Sequence, residues 1–153
     1  MKHSGLLRKG RISLKNHFYS ITLVAYKRDN KFTSLTVNRL ITKEMKYIEI
    51  QGAAKTIAFV IMPNHIHWLI QLGDKQTLSE VVKSFKGRCS KSIRDNTNIK
   101  QLWQRNYYDH LIRDEEDLIN NARYIIANPL RENIVKSVAL YPYWDCIYLN
   151  ERK

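Results

Sequence analysis

The stretch Met62-Pro63-Asn64-His65-Ile66-His67-Trp68-Leu69-Ile70 constrains this chain more than any other. Side chains two apart on a β-strand share a face. On a strand from His65 to Leu72, His65 and His67 therefore project together, while Ile66, Trp68, Ile70 and Leu72 line the opposite, apolar face. The run Lys55 to Met62 before it is apolar without a break from Ile57 on, as a buried strand requires, and Pro63-Asn64 turns the chain between the two.

The flanking segments supply the rest of a sheet. His17 to Tyr26 is rich in β-branched and aromatic residues and predicts a strand. Thr36 to Ile50 carries Val37, Leu40, Ile41, Glu44 and Ile48 on one helical stripe with a single polar interruption. Thr77-Leu78-Ser79-Glu80 has the spacing of a capping box and opens a helix with Leu78, Val81, Val82, Phe85 and Cys89 on its buried side. After a loop over 95–106, Tyr107 to Arg113 predicts a short strand. Asp114 then caps a helix running to about Asn128, ended by Pro129. The order β-α-β-β-α-β-α predicts an α+β, ferredoxin-like antiparallel sheet with an added helix. With 153 residues, five glycines and no repeat, one domain over 1–153 is expected, with a basic arm at 1–15 and an extension at 130–153.

Lys and Arg number 26 against 14 acidic residues, a net charge of +12. That exceeds the ~2–8 sufficient for solubility of a small domain and points to a polyanionic partner. Nucleic acid fits better than a membrane surface, because no basic helix carries an exposed apolar face. No apolar run approaches the ~18–20 residues of a membrane span, and the N-terminus lacks a secretory signal. A cytoplasmic protein with no membrane partner is expected. Cys89 and Cys146 have no metal-ligand spacing.

Two imidazoles side by side on a strand can chelate a divalent ion. They can equally sit on a solvated sheet face without function. With no cysteine or third histidine nearby, such a site lacks the ligand set of structural zinc and would leave positions open for substrate. The last helix offers a reactive partner. At ~100° per residue, Leu118, Ala122, Ile125 and Ile126 gather on one side, and Asp117, Asn121, Tyr124 and Asn128 on the other. Tyr124 is thus off the core stripe, with Asn128 one turn further along the same face. A phenol is a weak nucleophile while protonated, at a pKa near ~10, and a metal beside a scissile phosphate can offset that cost. Attack on a phosphodiester would give a 5′-phosphotyrosine and a free 3′-hydroxyl.

These residues resemble a known family. His65-Ile66-His67 is similar to the HUH motif, histidine–hydrophobic–histidine, and Tyr124 with Asn128-Pro129 is similar to its partner helix. Together they resemble the single-tyrosine HUH transposases, relatives of the smallest insertion-sequence transposases, and most closely the REP-associated tyrosine transposases. Leu102-Trp103-Gln104, Tyr108-Asp109-His110-Leu111-Ile112-Arg113, Tyr124 through Arg131, and Tyr141-Pro142-Tyr143-Trp144 extend the likeness from about Asn16 to Trp144. The resemblance implies a tyrosine helix laid over the histidine-bearing face of a ferredoxin-like sheet, and cutting and rejoining of single-stranded DNA at hairpin-forming palindromes. It implies a divalent metal, Mg2+ or Mn2+, on His65, His67 and Asn128, with Tyr124 as the catalytic nucleophile and no nucleotide cofactor. Insertion-sequence relatives usually carry glutamine where Asn128 stands. Tyr107 and Tyr108 are alternative nucleophiles, though on a strand where the family keeps none.

For DNA contacts, the candidates for phosphate are Lys83, Lys86, Arg88, Lys91 and Arg94, with Arg8, Lys9 and Arg11 in the N-terminal arm. Trp103, Tyr107 and Trp144 are the candidates for exposed rings that stack on unpaired bases. The short segment between Arg113 and Leu118 favours a monomer over a dimer exchanging the tyrosine helix. Two other functions compete: a hairpin-binding protein that has lost cleavage, and a metal-dependent phosphodiesterase that releases its product.

Overall fold

The computed structural model describes residues 13–150. Strand β1 (Phe18–Val24) alternates, burying Tyr19, Ile21 and Leu23 and leaving Phe18, Ser20 and Thr22 partly accessible on the other side. Helix α1 (Leu35–Ile50) begins at Ser34, whose hydroxyl accepts the Val37 N–H. Its buried stripe is Val37, Ile41, Glu44, Met45 and Ile48, joined by Asn38, while Leu40 is only partly covered. Strands β2 (Ala54–Ile61) and β3 (His65–Leu72) form the hairpin turned by Pro63 and Asn64, with a register shift between Thr56 and Ala58.

Helix α2 (Leu78–Asn96) carries the full capping box, with Thr77 and Glu80 satisfying each other's backbone N–H groups. Strand β4 (Tyr108–Leu111) leads to helix α3 (Glu115–Ile126), where the Asp114 carboxylate accepts the Asp117 N–H. The helix anticipated as continuous to Asn128 stops at Ile126. A separate turn, α4 (Asn128–Arg131), follows with Pro129 at its start. Proline has no N–H to give Ile125 and crowds its carbonyl, so the helix breaks there, yet its fixed φ suits the first turn of a new helix. Proline thus interrupts the helix and then restarts it. The region 130–153, anticipated only as an extension, contributes strand β5 (Trp144–Cys146) and the turn α5 (Ile147–Asn150).

The sheet order is β4-β1-β3-β2-β5, every pair antiparallel, with β3 in the centre. Helices α1 and α2 cover one face. There Trp68 and Phe85 pack with ring centroids 4.5 Å apart, and the Trp68 indole N–H donates to Thr56 Oγ1 at 3.0 Å. Removing a ring so buried costs about 3–5 kcal/mol. The opposite face has its own smaller core, in which Leu118, Ala122 and Ile125 of α3 meet Ile57, Ala58, Val60 and Leu69. Helix α3 therefore lies on the same sheet face as the two histidines. Among the described residues no helix is long and apolar enough to cross a membrane.

Candidate active site

The register places His67 opposite Thr22 on one side and Val60 on the other. The two imidazoles stand 4.9 Å apart between centroids, nearly perpendicular. Each is anchored through Nδ1. Asn64 Oδ1 lies 2.7 Å from His65 Nδ1, and as an amide oxygen it can only accept. His65 therefore carries its proton on Nδ1 and keeps a lone pair on Nε2. His67 Nδ1 lies 3.0 Å from Thr22 Oγ1. Burial lowers the pKa of both rings. His67 drops from 6.5 to about 4, with the neighbouring His65 and Arg131 adding to the effect. Burial and Arg28 lower His65, with Glu132 opposing. Both are neutral bases at pH 7, the form that binds metal.

Helix α3 is tied to the sheet edge by a polar cluster. The Asp117 carboxylate accepts from His110 Nε2 and from the Arg113 backbone N–H, each at 2.9 Å, and Asn121 Nδ2 donates to its other oxygen at 2.9 Å. The backbone bond from Arg113 is the main reason the Asp117 pKa is lowered. Further along, Leu118, Ala122 and Ile125 seat the helix, which leaves Tyr124 on the outward side at 55% exposure. Its ring meets the His67 ring edge-on, centroids 6.1 Å apart, and the Arg131 guanidinium lies 3.6 Å from its centroid. The site thus sets an accessible phenol beside a neutral imidazole, with a cation stacked on the phenol ring.

Asn128, anticipated one turn along an unbroken helix, instead sits beyond the break and is buried at 3% exposure. No group of three or more His, Cys, Asp or Glu side chains placed to hold a metal occurs among the described residues. The donor set is therefore two imidazoles plus whatever oxygen an amide or a substrate adds.

Tyr107, anticipated as an exposed stacking ring, is instead buried, with its hydroxyl 3.2 Å from Ser79 Oγ. Tyr108 lies opposite Thr22 and so faces the histidine side. Trp103 is also no exposed platform. It packs on Phe32 and Phe85 and donates its N–H to the Lys86 carbonyl. Trp144 is half-buried in β5, with its N–H on the Val138 carbonyl. The Tyr141 hydroxyl donates to the Ile61 carbonyl, and burial pushes its pKa up to about 12.

Among the basic candidates, Lys86 donates to the carbonyls of Gln104 and Asn106 at 2.9 and 3.0 Å. Arg88 pairs with the buried Glu44 at 3.2 Å and stacks 3.4 Å from the Tyr47 centroid. Arg88 serves the fold, because a buried carboxylate left unpaired is costly, and Lys86 fastens the loop before β4. Lys91 pairs with Asp95 on the surface, whereas Lys83 and Arg94 are exposed. Arg8, Lys9 and Arg11 lie outside the described residues. Three further bases were overlooked: Arg39, Lys43 and Lys46, at spacings of four and three, are exposed on α1. They line a groove of about 590 Å³ that also contains Glu49 and Asp145. Their helical spacing was readable in the sequence. Thr22 and Arg131 were overlooked too, and only the fold shows what they touch.

The fold and this geometry agree with what the chain is similar to. Residues 13–128 match the family model for transposases of the IS200-like type. A provisionally named REP-associated tyrosine transposase of Haemophilus influenzae is 29% identical over 84% of this chain and 79% of its own length. The REP-associated tyrosine transposase of Escherichia coli K12 is 31% identical over 56% of this chain and 50% of its own. This chain spans only about half the length of two of the curated relatives it matches. A solved REP-associated tyrosine transposase bound to a REP hairpin shares the fold with a TM-score of 0.75 at 21% identity, covering 88% of this chain and 79% of that one. A chain that carries the histidine pair on its central strand and matches the family model along most of its length belongs to the IS200-like transposase family.

Proposed function

We propose that this protein cuts and rejoins single-stranded DNA at hairpin-forming palindromes, using Tyr124 as the nucleophile. The observation that carries this reading is the edge-on approach of the Tyr124 ring to His67 on an otherwise helix-packed sheet face, 6.1 Å between centroids. In the reaction, a bond forms between Tyr124 Oη and phosphorus while the bond from phosphorus to the 3′ oxygen breaks. The 3′ oxygen takes up a proton and leaves as a hydroxyl, and the phenol proton passes to water. The resulting 5′-phosphotyrosine ester keeps the energy of the original linkage, so a 3′-hydroxyl can rejoin the strand without ATP.

His65 and His67, neutral at pH 7 and anchored through Nδ1, would hold a divalent metal, Mg2+ or Mn2+, with Asn128 as a third ligand. When bound, that ion would draw charge from the scissile phosphate and lower the cost of forming phenolate. Thr22 and Asn64 orient the rings, the role outer partners of metal-bound histidines play. Hairpin DNA as the partner is supported by the +12 charge and by the REP hairpin held by the solved relative. The exposed bases Lys83 and Arg94 on α2 and Arg39, Lys43 and Lys46 on α1 are among the available phosphate contacts. Helix α3 packs on its own sheet through His110 and Asp117, which favours a monomer acting with its own tyrosine.

The test is a denaturing gel of the protein with labelled hairpin DNA from palindromes beside its gene, with and without Mn2+. A metal-dependent, slow-migrating adduct that vanishes in Tyr124→Phe supports the reading. Cleavage without adduct would make the protein a phosphodiesterase, and binding without cleavage would make it a hairpin-binding protein.

A further inference from the structure

Arg131 stands apart from the other basic residues near the site. Its guanidinium carbon lies 3.6 Å from the centroid of the Tyr124 ring. Side chains of a helix lean towards its N-terminus, so Arg131 reaches back from α4 across the Ala127–Asn128 break to cover the tyrosine. Stacking occupies one flat face of the guanidinium and leaves its edge of N–H donors free, the edge that fits two oxygens of a phosphate. Among the described residues no carboxylate lies within ion-pair distance of Arg131. The cations that look similar in sequence are occupied: Lys86 by loop carbonyls and Arg88 by Glu44.

We infer that Arg131 grips the phosphodiester that Tyr124 attacks, holding its non-bridging oxygens beside the phenol and fixing the ring in its attacking rotamer. This rests on the transposase reading above. Arg131 takes no part in the proton transfers of the step and acts as a planar set of N–H donors. The bond made is Tyr124 Oη to phosphorus, and the bond broken is phosphorus to the 3′ oxygen, which leaves with a proton from water. Arg131 supplies directed positive charge to the oxygens on which negative charge builds. The competing explanation is an arginine that merely shields an exposed tyrosine ring from water.

The experiment is single-turnover adduct formation by wild type, Arg131→Ala and Arg131→Lys with saturating hairpin DNA and Mn2+. Hairpin affinity and Tm are measured alongside. Removal of one directed donor set typically slows a step by ~100–1000-fold, the loss expected for Arg131→Ala. Hairpin affinity should fall far less than the rate, because most phosphate contacts remain, and Tm should stay near the wild-type value. Arg131→Lys keeps the charge without the fork and should recover only part of the rate. Added guanidinium ion should accelerate Arg131→Ala in a saturable way, a rescue that a shielding role would not produce. An Arg131→Ala rate close to wild type overturns the inference while leaving the transposase reading intact. A slow variant with lowered Tm and no rescue also overturns it, in favour of shielding. A wild-type protein that forms no adduct removes the transposase reading itself, and with it the step Arg131 is meant to serve.

Discussion

The depressed pKa of His67 makes the stability of the metal-free protein depend on pH in a calculable way. His67 falls from 6.5 to about 4 when the chain folds, chiefly through burial. The unfolded chain therefore binds a proton below about pH 6.5 that the folded protein refuses until about pH 4. Stability is complete above the unfolded value and declines as pH falls through that window. With those two values, the His67 contribution lost between pH 7 and pH 5 is about 2 kcal/mol. His65, also lowered, acts in the same direction. Urea unfolding at the two pH values, in chelator, measures the loss. Subtracting the same difference for His67→Gln removes the carboxylates Glu80 and Asp117, which are also perturbed. A wild-type protein that loses no more stability than His67→Gln would rule out a neutral, buried imidazole at this position, and with it the proposed metal site.

Thr22→Val removes the hydroxyl at His67 Nδ1 with little change of shape. Loss of such an outer partner should weaken Mn2+ binding by ~10–100-fold in calorimetry while the fold persists. Arg88→Ala strands the buried Glu44 carboxylate. Because Arg88 itself is partly exposed, the cost in urea unfolding should be about 2 kcal/mol, with the salt dependence of hairpin binding unchanged. Lys83→Gln with Arg94→Gln should do the reverse, shifting stability by less than ~0.5 kcal/mol. If both touch phosphate, the log–log salt slope of hairpin binding should fall by ~1.5.

Much of this fold is legible in the chain because its periodicities are clean. The alternation through His65 to Leu72 sets both faces of β3, and the Thr77–Glu80 box marks the start of α2. The off-stripe position of Tyr124 follows from helical angles and holds in three dimensions. Strand β5 escapes because three residues after Pro142 are too few to show a period, and it exists only by pairing with β2. The burial of Tyr107 and the partial burial of Trp103 escape because both occur where α2 passes over the sheet edge, a tertiary fact without local signature. The functions of Lys86 and Arg88 escape for a related reason. Basic residues on one helix look alike until the carbonyls and the carboxylate they satisfy are in place. The partners Thr22 and Arg131 come from other elements, so only the register of β1 on β3 and the break before α4 bring them to the site.

In the proposed reaction Tyr124, and no other tyrosine, becomes joined to DNA. Tyr108 is the informative competitor, since the register sets it opposite Thr22 on the histidine side of the sheet. The most direct measurement is mass spectrometry of the protein digested after reaction with hairpin DNA and Mn2+, then trimmed with nuclease. The expected product is a nucleotide attached through its 5′ phosphate to the peptide containing Tyr124, absent when chelator replaces metal. The same mass on the peptide containing Tyr108, or on neither peptide, would contradict it.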